Sequence, residues 1–443
     1  MLHPILSFDI CITQIKFHSI IFCLVLQMPV WIMPLIYTLF SLWIIRKAKF
    51  FQTNIDKNFI SAAFIFKVIL GLANYFIWVH VIGRGDSINY IHDADMIYDT
   101  LFTDPLHYLQ LTFGYGTTNV YPEYLRYISD PLKYSWDSVE YTMVRINSIL
   151  YVFTFGNAWA NIVILCFGFF SASIALFKFL SFRFPEKIWL FFIVIFCIPS
   201  ITIWSSGLLK EGFALAIFTL LIIQFYKLQE YISTKTILII AILFFSMFLI
   251  REYVVLLFIP NLILWLIARR NKKTAITFLG ITFLAAIFLI IVDAFSYQFT
   301  ISEIVCEAQQ YFILLEPDPD YNYHVFTGYA LWEPIQKIPY TLNNILFRPN
   351  ILHSTSLFRL YMAVELMLSW IFLFWLYSGI RQKLTATAWL FIFIAIELLL
   401  MYGIVVTDAD TMSRYRVIPL FLLFIVGIVG SKRSLGGDGK MVK

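Results

Sequence analysis

Five basic side chains stand where long apolar runs begin or end. They are Lys210 after Trp204-Ser205-Ser206-Gly207, Arg251 between two short runs, Arg348 before Pro349, and Arg414 with Arg416 at the entry to the last run. A guanidinium is a planar fork that grips phosphate oxygens two at a time, and an ammonium is a compact point charge. Gathered together, such cations suit an anionic ligand, foremost a lipid-linked phosphate or pyrophosphate. Taken singly, each has a plainer use: snorkelling to lipid headgroups or pairing with a neighbouring acid. Lys210-Glu211 is the sharpest local signal, because adjacent residues on a helix point apart and do not form an internal ion pair. The preceding Ser205-Ser206-Gly207 predicts a helix start, where free backbone N–H groups favour anions. The plain alternative there is a capped helix with two charges facing headgroup water.

A second group is acidic. Asp86, Asp93 and Asp95 follow Gly83-Arg84-Gly85 and are the candidate catalytic residues. Clustered carboxylates can act as a general base or hold a divalent cation. Their spacing is not that of a calcium loop, so a divalent metal is a candidate cofactor of low specificity. The structural alternative is a turn at Gly85 leading into an Asp-capped surface helix. Arg84-Gly85-Asp86 is given no adhesion role. Glu365 and Glu397 fall inside apolar runs, where an ionised carboxylate is costly, so each either partners the basic set or carries a proton. Lys67, about two turns from its helix end, is expected to snorkel.

The elements that must position these groups follow from composition. The 443 residues are 60% hydrophobic and 13% charged, with a mean hydropathy of +0.81. That leaves too little polar surface for a soluble globule. The expected fold is all-α: a polytopic helical membrane protein of about eleven crossings, near 20–45, 59–82, 157–180, 188–204, 208–226, 237–250, 253–268, 274–293, 360–380, 387–405 and 415–430. Of the 32 Lys and Arg, 18 lie in six short connections: Arg46–Asn58, Ser181–Lys187, Lys227–Lys235, Arg269–Lys273, Arg381–Lys383 and Ser431–Lys443. Basic connections stay in the cytoplasm, which puts two long loops, 83–147 and 294–359, outside. Topology thus accounts for the net charge of +5 without a nucleic-acid partner. The five cysteines show no CxxC spacing and predict neither a disulfide framework nor a zinc site.

The domain plan is an uncertain N-terminal segment 1–27, a transmembrane domain 28–430 and a cytoplasmic tail 431–443. Met28 or Met33 is an alternative start. The first outer loop carries nine acids against four basic residues and many tyrosines, and short surface helices are expected at 93–101 and 106–111. Ile237–Ile250 is too short to cross fully, so the hairpin tip at Arg251-Glu252 is expected to lie below the outer surface. A charge at that depth needs a partner or a water-filled cavity.

Several stretches together resemble a known pattern. Pro199-Ser200 through Trp204-Ser205-Ser206-Gly207 to Lys210-Glu211, Leu346-Phe347-Arg348-Pro349, and Arg414-Tyr415-Arg416 to Pro419 are similar to segments of polytopic glycosyltransferases of the GT-C superfamily and of O-antigen-polymerase-like proteins. The resemblance implies a membrane glycosyltransferase or glycan polymerase of the cell inner membrane. Its partners would be a polyprenyl-linked sugar donor, a glycan or lipid acceptor and the membrane lipids. Asp86, Asp93 or Asp95 would then be the base or metal ligand. Lys210, Glu211, Arg251, Arg348, Arg414 and Arg416 would form the phosphate site. The acidic loop follows the second crossing, not the first as in that pattern. Two other classes stand beside it: a flippase or other transporter of lipid-linked glycans, and a structural subunit of an envelope complex.

Overall fold

The computed structural model describes residues 30–114, 132–134, 138–270, 274–295, 301–315, 336–354, 356–380 and 383–434. Among them the regular structure is helical, with one isolated bridge between Ile380 and Ser431 and no strand. The all-α expectation is met. Residues 1–27 lie outside the described residues, as do Cys11 and Cys23.

Six helices are long and apolar enough to cross a membrane: Lys57–Ile82, Ala158–Arg183, Lys210–Glu230, Leu357–Ser378, Ala386–Val405 and Ala409–Gly430. The chain is built as a membrane protein, with six such spans among the described residues in place of the eleven expected. Other expected crossings fall short. Ile32–Lys47, Thr234–Phe248 and Glu252–Ala268 have 16, 15 and 17 residues. Even the longest of these reaches only about 25 Å, against roughly 30 Å of hydrocarbon. The crossing at 188–204 is broken into three pieces.

The chain divides into two compact units. The first comprises Met1–Gly168 and Ser206–Leu209, the second Phe169–Ser205 and Lys210–Lys443. In the first, α1 (Ile32–Lys47) packs on α2 (Lys57–Phe76), whose N-terminus Asp56 caps by accepting the Asn58 N–H. A π turn, Ile77–Ile82, extends α2, and Gly83 and Gly85 follow at φ +71° and +122°, a region only glycine enters cheaply. Then come α3 (Asp86–Thr103), α4 (Pro105–Phe113), α5 (Ser138–Thr154) and α6 (Ala158–Arg183), whose residues from Phe169 on belong to the second unit. The surface helices expected at 93–101 and 106–111 lie within α3 and α4. They do not stand alone: α3 buries Tyr90, Ala94, Ile97 and Tyr98 at helical spacing, and α5 buries Tyr141, Val144 and Tyr151. The two helices pack together, with Tyr98 and Tyr151 ring centres 5.6 Å apart. Hydroxyls tie α4 to α5: Tyr108 donates to the Ser148 carbonyl and Tyr141 to that of Leu111. Lys67 is only 6% exposed and does not snorkel as expected.

The second unit begins with the broken crossing: α7 (Ile188–Phe192), a π turn (Ile193–Cys197), and α8 (Pro199–Trp204), which Pro199 opens at the position where a missing N–H costs nothing. Next come α9 (Lys210–Glu230) and the hairpin of α10 (Thr234–Phe248) and α11 (Glu252–Ala268), then α12 (Thr274–Phe295) and α13 (Ile301–Leu315). The last elements are α14 (Ile338–Phe347), α15 (Leu357–Ser378), α16 (Ala386–Val405), α17 (Ala409–Tyr415) and α18 (Val417–Gly430). Helix α18 is apolar all round and buried along nearly its whole length, which marks a central helix. It packs against α8, α9, α15 and α16. At the start of α9, Gly212 leaves room for Phe169: a Cβ there would sit 2.3 Å from the ring. Gly212→Ala should therefore cost about 1–3 kcal/mol of stability by overpacking. Thermal unfolding in detergent would show this as a lowered midpoint.

Candidate functional site

The strongest concentration of charge lies in the second unit, around one carboxylate. Glu211 sits on the first turn of α9 and is 2% exposed. Arg251, 3% exposed at the junction of α10 and α11, donates to Glu211 Oε1 through a terminal guanidinium nitrogen. Arg414 on α17 brings its Nε to 3.2 Å from the same oxygen and keeps 18% of its side chain exposed. Tyrosines wall the cluster. The Tyr253 hydroxyl contacts the Arg251 guanidinium and lies 3.3 Å from that of Tyr402. Tyr415 lies under both arginines, with its ring centre 4.6 Å from Arg251 Cζ and 5.3 Å from Arg414 Cζ.

Sequence and fold explain this convergence. The three-residue turn Leu249–Arg251 joins two short helices and carries the cation at its tip. Asp408 accepts the Thr411 N–H and so starts α17 one turn before Arg414. Two guanidinium groups thus share one carboxylate oxygen in a nearly dry site. Arg251 Nε is buried without a hydrogen-bond partner among the described residues. Isolated buried charge is costly, and an arriving anion would relieve it.

The other cations expected at the site fare differently. Lys210 opens α9 beside Glu211 but, as its neighbour in sequence, points off that face. The helix starts at Lys210, not at Ser205-Ser206-Gly207, where Gly207 takes φ +106° in the break before it. Arg416 turns to backbone carbonyls and away from the Glu211 centre. It is 2% exposed, and its guanidinium donates to the carbonyls of Met412, Ile345 (3.0 Å) and Arg348. It thereby closes the C-terminal end of α14, where carbonyls lack intrahelical donors. The part of Arg348 in that contact is its backbone carbonyl.

The three aspartates belong to the first unit and do not meet as a set. Positions 93 and 95 are about 200° apart around α3, so their carboxylates leave opposite faces. Asp93 is fully buried and accepts the N–H groups of Lys133 (3.0 Å) and Tyr134 (2.9 Å), which makes it a backbone clamp and not a base. Asp86 accepts the Tyr134 hydroxyl at 3.3 Å, and Tyr90 donates to Glu140. Burial, with Asp86 and Glu140 beside it, pushes the Tyr90 phenol well up and keeps it a donor. Crowding by protein pushes Asp95 up to about 6, against the opposing effect of the Tyr151 hydroxyl. No group of three or more His, Cys, Asp or Glu is placed to hold a metal among the described residues.

Sequence reasoning missed the tyrosine walls and the role of Glu211 as the hub. The Arg414-Tyr415-Arg416 run carried part of the signal. No protein-family model, curated protein or solved structure matches the chain.

Two outcomes test the acidic unit. Asp93→Ala strands two N–H groups and should cost about 2–5 kcal/mol, whereas Asp93→Asn, which keeps one acceptor, should cost about half. Chemical denaturation compares them; a catalytic Asp93 would instead leave Asp93→Asn as stable as wild type. Asp95 has a folded pKa raised from 3.8 to about 6, so its contribution to stability is full below 3.8 and lost as pH rises through 6. Unfolding midpoints of Asp95→Asn should therefore decline less than wild type between pH 4 and 7.

Proposed function

We propose that the chain is a membrane glycosyltransferase or glycan polymerase, acting on the outer face of the cell inner membrane in surface-polysaccharide assembly. It takes sugar from a polyprenyl phosphate or pyrophosphate carrier and passes it to an acceptor hydroxyl on a glycan or lipid. The observation that carries this reading is the Arg251–Glu211–Arg414 centre with its tyrosine walls. Its two converging guanidinium groups suit a phosphate, and the partly exposed Arg414 is the arm that can reach one. Glu211 holds both guanidinium groups in place before a ligand arrives. Preorganised cations in a dry site act strongly on charge that develops on a leaving phosphate. The resemblance to polytopic glycosyltransferases points the same way. The basic connections support this sidedness: with them in the cytoplasm, Arg251 and Arg414 would face outward.

A second reading, a flippase of lipid-linked glycans, draws on the broken crossing of α7 and α8, because interrupted helices are common in transporters. Proteoliposomes separate the two. The transferase joins labelled lipid-linked sugar to acceptor, whereas the flippase only moves it between leaflets.

Arg414→Ala should fold, because its side chain is partly exposed, and lower glycan product at least 100-fold. Cells carrying it should accumulate lipid-linked intermediates, measured by mass spectrometry of extracted lipids. Wild-type polymer from Arg414→Ala would end this reading. Arg251→Ala should instead cost about 3–5 kcal/mol of stability by leaving Glu211 short of a partner.

A further inference from the structure

Beside the arginine centre, on the neighbouring face of α17, lies a cleft that the proposed chemistry has not used. It is bounded by α8, α15, α17 and α18, and its polar lining is Glu365, Ser200, Tyr361, Ser369, Ser413 and Arg416. Ser413 lines this cleft while Arg414, the next residue, reaches Glu211, so the two sites flank a single turn of α17. Glu365 stands about 12 Å along α15 from its start, within the apolar span. Its Oε1 accepts the Ser200 N–H at 2.7 Å, and the Tyr361 hydroxyl, one turn earlier on α15, is also bonded to the carboxylate. A carboxylate at such depth is expensive and marks a functional position more often than a passive one. The size of the cleft narrows its use. About 30 Å³ admits the centre of a water-sized sphere. That is room for a few waters or one hydroxyl-bearing arm.

We propose that this cleft is the acceptor subsite of the reaction assigned above, and that Glu365 is the base that takes the proton of the acceptor hydroxyl. The inference rests on that transferase reading and replaces the three aspartates as the source of the base. In the step, the acceptor oxygen bonds to the anomeric carbon of the donor sugar and its proton passes to the Glu365 carboxylate. The anomeric carbon–oxygen bond to phosphate breaks, and its electron pair leaves with the phosphate oxygen facing Arg414 and Arg251. The products are a new glycosidic bond, a neutral Glu365 and an anionic polyprenyl carrier; Glu365 later returns its proton to water. Ser200, Tyr361 and Ser413 surround the incoming hydroxyl with groups that donate or accept. The narrow slot admits the hydroxyl while the rest of the acceptor stays outside.

Single-turnover transfer tests this in proteoliposomes, with lipid-linked glycans extracted from a strain lacking the protein. Glu365→Gln keeps an oxygen for the Ser200 N–H but cannot take a proton. It should slow transfer at least 100-fold, with Glu365→Asp partly restoring the rate. Binding of a fluorescent polyprenyl phosphate should stay within twofold of wild type. Ser413→Leu fills the slot without touching Glu365; it should slow transfer at least 30-fold with the same unchanged binding. Transfer within threefold of wild type in Glu365→Gln or in Ser413→Leu, while Arg414→Ala is inactive, overturns this inference and leaves the transferase reading standing. Wild-type transfer in Arg414→Ala removes that reading and the inference with it.

Discussion

A carboxylate sealed between two guanidinium groups sets the terms for the second unit. Glu211 and Arg251 are almost wholly out of water, and each would be intolerable without the other. Withdrawing one partner from such a pair costs several kcal/mol, a large share of a typical net stability. The helices that carry them are therefore fixed in rotation and register: α9 must show its first turn inward, the α10–α11 turn must bring Arg251 to it, and α17 must begin where Asp408 caps it. Tyr253, Tyr402 and Tyr415 follow from the same demand, because aromatic walls exclude water and their hydroxyls and ring faces still meet the cations.

Much of this was legible in the residues. The all-α class, the short hairpin with Arg251 at its tip and the helices of the first long loop could all be read from run lengths and spacing. So could Glu211, Arg251 and Arg414 as residues of interest, though Lys210 points off their face. The number of full spans was not, since hydropathy registers an apolar stretch without saying whether the helix continues. Ile188–Trp204 reads as one run and folds as three pieces, because Pro199 and the π turn interrupt it. The roles of Arg414 and Arg416 were equally hidden. Both are arginines two residues apart, yet one meets a carboxylate and the other meets carbonyls at the end of α14. Only tertiary placement separates them.

The acidic loop teaches the opposite lesson. Three aspartates within ten residues look like chemistry, and in the folded chain they are mostly architecture. Asp93 fastens Lys133 and Tyr134 by their backbone, Asp86 engages a phenol, and Asp95 faces away. Helical geometry separates Asp95 from Asp93 before any energy is counted, because residues two apart cannot share a face. Glu365, a lone acid inside an apolar run, is the better-placed carboxylate, and its surroundings came from four separate helices that no local pattern joins.

The burial of α18 bears on how the protein is made. This helix follows every other described helix in the chain and yet forms the middle of the second unit. Until the ribosome releases it, α8, α9, α15 and α16 have no inner wall to close upon, and the cell must shelter an unfinished bundle in the bilayer. Assembly of this unit is thus a late, concerted event, and damage to its final apolar stretch would be sensed by proteolytic surveillance as a failure of the whole.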